Sequence, residues 1–171
     1  MQNKFTHQQR LVVKPNYKQA LFIKALADWA KRVIAYGGGG RAGKSYMNLV
    51  AIINRAIMCP GDEIAICRKV QKDLKHTIRR QFIELLPPSL LIEDKIEDGV
   101  TIIRTVDERY PSYIYWFGLD ERQRIGSRAF SIVVYEEGTE FEAADFTYMY
   151  TRLSHTLPIK FWDDLPDETK Q

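Results

Sequence analysis

The chain contains few cysteines and histidines, and this scarcity excludes several kinds of protein. Cys59 and Cys67 are its only cysteines, too few and too isolated for a disulfide framework or a zinc cluster. His7, His76 and His155 are scattered, and none has a partner at metal-ligand spacing. We expect both cysteines to be buried, reduced thiols in a cytosolic compartment.

Long apolar runs, repeats and low-complexity segments are also missing. No apolar stretch approaches the ~18–20 residues that cross a bilayer, and the first residues lack the apolar core of a secretion signal. The 45% hydrophobic and 27% charged residues are typical of a globular domain. We expect one domain, with an N-terminal arm at 1–14 and a frayed acidic tail at 163–171. The net charge of +3 permits contact with a polyanion but does not demand it.

Glycine is concentrated in one segment with a chemical meaning. Residues 38–45 read GGGRAGKS and match the phosphate-binding pattern G-x-x-x-x-G-K-[ST] at every fixed position. In this pattern backbone N–H groups point at the phosphates, and the following helix adds the positive end of its dipole. Lys44 would neutralise phosphate oxygens, and the Ser45 hydroxyl would bind Mg²⁺. The alternative is a flexible glycine-rich linker.

The periodicity around this segment predicts strand, glycine loop and helix in that order. A helix is predicted at 15–32, a short apolar strand at 33–36, and a helix at 44–58 that ends at Pro60-Gly61. Further strands are predicted at 63–67, 101–105, 112–117 and 131–135, and further helices at 70–86 and 143–154. Since strands alternate with helices, we expect a parallel sheet covered on both faces.

Two acidic residues, Glu136 and Glu137, follow the last predicted strand. In a parallel sheet, ligands bind at the carboxyl ends of the strands. One carboxylate there can hold magnesium while its neighbour polarises an attacking water. The alternative is a solvated acidic strand end, which is common at the rims of sheets.

Several segments, taken in order, resemble the ATPase domain of phage large terminase subunits, the motors that pump viral DNA into preformed capsids. The resemblance covers about residues 12–155. It is carried by PNYKQ at 15–19, AYG at 35–37 leading into GKSY at 43–46, CRK at 67–69, WFGLD at 116–120, VYEEGTE at 134–140 and YTRL at 150–153.

The resemblance implies an α/β fold: a P-loop NTPase of the additional-strand, RecA-like type, with a mainly parallel sheet and helices on both faces. It implies an ATP hydrolase that uses ATP and Mg²⁺ to drive double-stranded DNA into a procapsid. The implied partners are double-stranded DNA, identical subunits in a pentameric ring, the portal protein and the small terminase subunit. The implied location is the host cytoplasm, without a membrane.

The resemblance also implies roles for single residues. Glu137 would act on the attacking water, and Glu136 would join Ser45 on magnesium. Arg41 would contact the γ-phosphate, or would stay solvated on the loop. Gln19 would read the adenine edge, with a surface helix glutamine as the alternative. The expected nucleotide-binding residues are Gln19, Gly38, Gly39, Gly40, Arg41, Ala42, Gly43, Lys44, Ser45 and Tyr46.

An arginine from a neighbouring subunit often completes the site of a ring ATPase. We expect Arg128, and after it Arg124, to supply this group, with a solvated basic loop as the alternative. The basic side chains near the predicted helix at 70–86 could contact DNA, although such a run is more often a solvated face. They are Lys69, Lys72, Lys75, His76, Arg79 and Arg80.

Two departures from the family pattern limit these expectations. The family's coupling motif has no clear match after Leu153, and the nuclease domain is absent. We therefore expect the ATPase portion alone, without nuclease activity. Two alternatives stay open: another nucleic-acid ATPase of the helicase or repair kind, and a nucleotide-binding assembly module that does not hydrolyse.

Overall fold

The structure, a computed structural model, describes residues 14–26, 33–37, 43–71, 74 and 77–154. Its helices are α1 (Tyr17–Leu26), α2 (Lys44–Met58), α3 (Ile78–Leu85) and α4 (Ala143–Tyr150). Its strands are β1 (Glu63–Arg68), β2 (Leu91–Lys95), β3 (Val100–Ile103), β4 (Ser112–Gly118) and β5 (Ile132–Tyr135). The chain divides into two compact units, residues 1–51 and 52–171, with the boundary inside α2. The expected single domain stays a prediction, and the expected arm and tail lie outside the described residues.

The described strands form one mixed sheet in the order β2-β3-β4-β1-β5. β1 pairs in parallel with β4 and with β5, whereas β2, β3 and β4 pair antiparallel. The sheet is therefore mixed, with its parallel pairs among β4, β1 and β5, where the sequence predicts a mainly parallel sheet. Residues 96–99 join β2 to β3 and residues 104–111 join β3 to β4, and both connections are too short for the crossover that a parallel pair requires.

Helices cover both faces of this sheet, as the sequence predicts. On one face Cys67 and Phe117 lie side by side, and α4 adds Met149 to the buried cluster. On the other face Trp116 packs edge-on against Phe82 of α3, with ring centroids 5.2 Å apart. The remaining buried members of the first cluster are Ala65, Leu119, Ile125, Phe130 and Phe141. The α/β architecture is therefore confirmed, and buried residues of β1 and β4 lie on both faces of the sheet.

Several predicted elements match closely, while one predicted strand is absent, one strand was not predicted and one helix is shorter than predicted. The helix at 44–58 and the strands beginning at 63 and 112 are confirmed. Residues 33–37 carry no regular secondary structure, because an apolar run becomes a strand only where its backbone finds a hydrogen-bonded neighbour. β2 was missed because its sequence, LIEDK, has three charged residues after two apolar ones and so lacks the apolar run of a buried strand. The helix predicted at 143–154 ends at Tyr150.

Candidate functional site

The first helix begins with a reciprocal pair of side-chain hydrogen bonds. The backbone N–H of Gln19 donates to Asn16 Oδ1 at 3.0 Å, and the backbone N–H of Asn16 donates to Gln19 Oε1 at 2.9 Å. This is a capping box, which satisfies two N–H groups that the first helical turn leaves unpaired. The Asn-x-x-Gln spacing was visible in the sequence as such a signal. The carbonyl oxygen of the Gln19 amide is therefore already occupied by its own helix.

Two contacts place α1 beside the chain on either side of the glycine segment. A Cβ built on Gly43 would lie 3.0 Å from Gln19 Nε2. Phe22 stacks on Tyr36, with ring centroids 4.4 Å apart and an interplanar angle of 11°. Gln19 thus presents its NH₂ group to the last glycine of the motif. The predicted binding residues Gly38, Gly39, Gly40, Arg41 and Ala42 lie outside the described residues.

The last residues of the motif form the start of α2. Gly43 has a φ of +71°, a left-handed conformation that glycine adopts without steric cost. Its carbonyl accepts the first helical hydrogen bond, from Met47 N at 3.0 Å. Lys44 and Ser45 open the helix and are half-buried, while Tyr46 is exposed. Strong helix formers with long apolar side chains then continue α2, among which Met47 and Leu49 are buried.

Glu136 lies where the sequence predicts it, at the carboxyl end of β5. Its backbone N–H donates to the Cys67 carbonyl at 2.9 Å and extends the parallel pairing of β5 with β1 by one residue. Only 6% of Glu136 is exposed. A carboxylate this well buried needs polar or cationic partners, or a bound cation, to offset its desolvation.

Glu137 adopts a conformation that the sequence does not reveal. Its φ of +56° and ψ of +57° are left-handed, and it is the one non-glycine residue with positive φ in the part of the chain described. This geometry costs a residue with a Cβ roughly 1–2 kcal/mol. It turns the chain immediately after the buried Glu136 and leaves Glu137 exposed. Backbone strain of this kind is concentrated at functional sites.

The FGLD segment at residues 117–120, where β4 ends, has a packing reason for its glycine. A Cβ on Gly118 would lie 2.1 Å from the backbone nitrogen of Gln71, so no other residue fits without moving the backbone. The Gly118 N–H donates to Gln71 Oε1, and the Gln71 N–H donates to Asp120 Oδ1 at 3.0 Å. Together these bonds join the segment after β1 to the segment after β4 beside the carboxyl ends of both strands.

Sequence reasoning missed a buried carboxylate, Asp145, on the first turn of α4. It accepts hydrogen bonds from Lys69 Nζ at 2.7 Å, from Arg122 Nη2 and from the Glu142 backbone N–H at 2.9 Å. Burial alone would raise the pKa of Asp145, but these hydrogen bonds hold it at about 2. The Glu142-x-x-Asp145 spacing of a capping box was the available signal. Its partners could not be read from the sequence, because Lys69 and Arg122 are distant along the chain.

The two arginines proposed to act on a neighbouring subunit are exposed but have partners in this chain. Arg128 Nη1 donates to the Arg124 carbonyl at 2.7 Å, and its guanidinium lies 5.2 Å from the centre of the Tyr115 ring. Arg124 forms an ion pair with Glu121 at 3.1 Å. Tyr115 lies midway along β4, so Arg128 sits beside the middle of that strand and not at its carboxyl end.

The basic side chains that the structure describes near residues 69–80 lie in different surroundings. Arg79 is 4% exposed and donates to Asp94 at 2.6 Å, and Lys69 is held by Asp145. Arg80 is exposed and pairs with Glu84 in the next helical turn. Lys72, Lys75 and His76 lie outside the described residues. Arg79 therefore lies in the interior and not on a solvated face, whereas DNA contact by Lys69 and Arg80 stays a prediction.

The two cysteines lie in unlike surroundings. Both are free, Cys67 is buried and Cys59 is half-buried. Burial raises the pKa of the Cys67 thiol, which keeps it protonated. Among the residues described, no three His, Cys, Asp or Glu side chains are grouped to hold a metal ion. The described helices are also too short or too polar to span a membrane.

Comparison with known proteins gives one family. The family model described as phage terminase large subunit matches residues 30–162. A solved large terminase from a thermophilic bacteriophage aligns at 17% identity with a TM-score of 0.64, covering 83% of this chain and 37% of that chain. Two further crystal structures of that phage protein also align. The complex with ADP does so at 15% identity and TM-score 0.61, covering 81% of this chain and 36% of that chain. The complex with ATP-γ-S aligns at 19% identity with a TM-score of 0.60, covering 81% of this chain and 35% of that chain.

The structural matches define the class of fold: a RecA-like α/β domain with helices on both faces of the sheet. The chain belongs to the phage terminase large subunit family, since the family match spans most of its length. This confirms the resemblance inferred from the sequence. The chain spans between 35% and 37% of the length of the solved relatives. No curated protein matches it significantly.

Proposed function

We propose that this chain binds and hydrolyses Mg-ATP as the ATPase portion of a DNA-packaging motor. The observation that carries the proposal is the start of α2, where a left-handed Gly43 precedes Lys44 and Ser45. The amino end of a 15-residue helix favours phosphate through the positive end of the helix dipole. Family membership and the nucleotide complexes of the similar phage protein support ATP as the ligand.

The available oxygen donors fit magnesium. Mg²⁺ is usually held by one or two protein oxygens, several waters and the phosphates of the substrate. Ser45 offers a hydroxyl and Glu136 a nearly buried carboxylate at the end of β5. These two residues would hold the ion, which when bound neutralises charge on the phosphate oxygens.

The remaining side chains bind the nucleotide and activate the attacking water. The Lys44 ammonium neutralises the β- and γ-phosphate oxygens, and Arg41 contacts the γ-phosphate. The Glu137 carboxylate accepts the proton of the attacking water, a role for which an exposed acid at the carboxyl end of a strand is suited. Gln19 donates from its NH₂ group to an acceptor nitrogen of adenine, because its carbonyl oxygen already caps α1.

The motor itself is proposed from the family. Identical subunits, five in the assembled ring, would drive double-stranded DNA through a portal protein with the help of the small terminase subunit. This would take place in the host cytoplasm. Arg128 of one subunit would complete the neighbouring site. Stimulation of hydrolysis by portal-bound double-stranded DNA, and not by single-stranded DNA, would separate a packaging motor from a helicase-like ATPase.

Paired variants test the nucleotide chemistry. Lys44→Ala should weaken Mg-ATP binding in calorimetry by at least about tenfold, since a charge-assisted contact to phosphate is lost. Glu137→Gln should keep ATP affinity while suppressing hydrolysis at least about a hundredfold, the usual range for a lost general base. Lys24→Ala and Glu97→Gln, both at exposed positions, serve as matched controls and should behave as wild type.

Two results would contradict the proposal. Folded wild-type protein without Mg-dependent affinity for ATP would remove the nucleotide site. Hydrolysis by Glu137→Gln at the wild-type rate would remove Glu137 as the base. Binding without turnover in the wild type would favour a nucleotide-binding assembly module.

A further inference from the structure

We infer that Asp145 is a positioning residue for the acidic turn, which we define as residues 136–140. Its carboxylate ties this turn to the segments that follow β1 and β4 and so holds Glu137 in place. The inference rests on the proposed function, because a fixed Glu137 matters for rate only if that residue acts in ATP hydrolysis.

Asp145 is the point where three segments of the chain meet. It is 1% exposed, and its two oxygens accept from Lys69, Arg122 and the Glu142 backbone. Lys69 directly follows β1, Arg122 lies in a 3-10 helix (Leu119–Arg124) that follows β4, and Glu142 stands just beyond the acidic turn. A buried carboxylate with three donors is a strong and directional link, because each bond to it is charge-assisted.

The two segments that bind Asp145 are themselves joined. The Asp120 N–H donates to the Lys69 carbonyl at 3.2 Å, and Gln71 bridges Gly118 and Asp120. The close approach of Gly118 to the Gln71 backbone fixes their spacing. The partners of Asp145, Lys69 and Arg122, therefore belong to segments that are hydrogen-bonded to each other at the carboxyl ends of β1 and β4. Asp145 binds one connected unit and not two independent side chains.

The acidic turn needs such an anchor. Upstream, Glu136 N bonds to the Cys67 carbonyl at 2.9 Å. Downstream, the turn has the bond from Glu140 N to the Glu137 carbonyl at 2.9 Å and a partly exposed contact of Glu140 with Arg68 at 3.4 Å. Between these ends Glu137 holds a left-handed conformation that persists only where surrounding contacts over-determine it. Immediately after the turn Phe141 is buried against Tyr135, with ring centroids 5.1 Å apart, and Asp145 adds the buried charged contact.

A matched pair of variants separates positioning from stability. Asp145→Asn keeps the shape but removes the charge that gathers Lys69 and Arg122. Asp62→Asn is the control, since Asp62 is 0% exposed and pairs with Arg55 at 2.8 Å. Asp62 precedes β1, at the opposite end of the parallel strands from the acidic turn. Both variants should lower the midpoint of urea unfolding.

The kinetic readout is the ATP hydrolysis of the full chain. Asp145→Asn should lower kcat by about tenfold or more and change KM for ATP by less than about threefold, as expected for a transition-state effect. Asp62→Asn should leave kcat unchanged. Adding Asp145→Asn to Glu137→Gln should cause no further loss, because the two residues act as one unit. Equal kcat losses in the Asp145 and Asp62 variants, or additive losses with Glu137→Gln, would overturn the inference.

Amide hydrogen exchange supplies a readout that does not depend on catalysis. Asp145→Asn should speed exchange at Glu140 and Phe141 relative to β4, whereas Asp62→Asn should not. Wild-type protein without ATPase activity would refute the proposed function, yet the exchange result would still decide whether Asp145 fixes the turn. If Asp145→Asn does not fold, Lys69→Met removes one partly exposed donor and is judged by the same measurements. Unchanged exchange in the turn would refute the inference.

Discussion

At the scale of single residues, Glu137 places an exposed carboxylate on a left-handed backbone. Glycine would adopt the same φ of +56° without steric cost, so the sequence accepts strain at this position. The acid is the feature that a glycine could not supply. Strain retained together with a reactive group is the pattern expected of a functional position and not of a simple turn.

Replacement of Glu137 by glycine should therefore stabilise the protein while it removes hydrolysis. We expect Glu137→Gly to raise the free energy of unfolding by about 1 kcal/mol, measured by urea denaturation. Thr139→Gly is the control at an exposed position with negative φ, where added backbone freedom should lower stability by roughly 0.5–1 kcal/mol. A loss of stability in Glu137→Gly would show that side-chain contacts of Glu137 outweigh its backbone strain.

At the scale of elements, the end of β4 and the segment after β1 pack as one body. Gly118 allows this packing, and Gln71 and Asp120 complete it through hydrogen bonds. A second buried group joins β4 to β3 and α3: Trp116 Nε1 donates to Thr101 at 2.9 Å, and both Thr101 and Arg79 donate to Asp94. Arg79, which the sequence analysis placed among exposed basic side chains, is thus buried and joins α3 to β2 through Asp94.

Gly118→Ala should destabilise the protein strongly. Its Cβ would meet the Gln71 backbone at 2.1 Å, and backbone cannot rotate away as a side chain can. We expect a loss of about 3 kcal/mol or more in urea denaturation, or failure to fold. Gly138→Ala is the matched control, because its Cβ would meet nothing within 4 Å. Equal midpoints for the two variants would mean that the close approach at Gly118 does not occur.

At the scale of the whole molecule, acid stability should depend on Asp145. Its pKa is about 2 in the folded chain and about 4 when unfolded. Because the folded value is the lower one, the carboxylate stabilises the fold above about pH 4, and this contribution disappears as the pH falls toward 2.

The difference in free energy of unfolding between wild type and Asp145→Asn should therefore shrink across that pH range. The shift corresponds to at most about 2.5 kcal/mol, measurable by urea titrations between pH 6 and pH 2.5. Glu97→Gln, at an exposed position, should run parallel to wild type. A free-energy difference between wild type and Asp145→Asn that does not change with pH would show that the ionised carboxylate does not stabilise the fold through its ion pairs.

The association of subunits should decide whether Arg128 contributes to ATPase activity. Arg128→Ala should lower ATPase activity only at concentrations where subunits associate, because the arginine would act on a neighbouring site. The measurement is specific activity against protein concentration, with Arg109→Ala as an exposed control. An equal loss in dilute monomer would assign Arg128 a role within its own chain, in line with its contacts to Arg124 and Tyr115.

Much of the fold was predictable because local signals agreed. Lysine and serine after a glycine, and a proline and glycine beyond Met58, bracket α2 at the observed residues. Apolar runs predicted β1, β4 and β5 for the same reason. β2 could not be predicted, because an exposed LIEDK strand depends on its antiparallel neighbour and not on its own pattern. The prediction for residues 33–36 was wrong for the opposite reason: their pattern is apolar, but they form no strand.

The sequence by itself determined the family, the motif that opens α2 and the position of the acidic pair, because these depend on residue identity and on spacing along the chain. Only the tertiary structure decided that Glu137 is left-handed, that Gly118 approaches Gln71 and that Asp145 gathers Lys69 and Arg122. The physical reason is distance along the chain. Asp145 is separated from Lys69 by 76 residues, and no local pattern records which charges will meet once the strands are side by side.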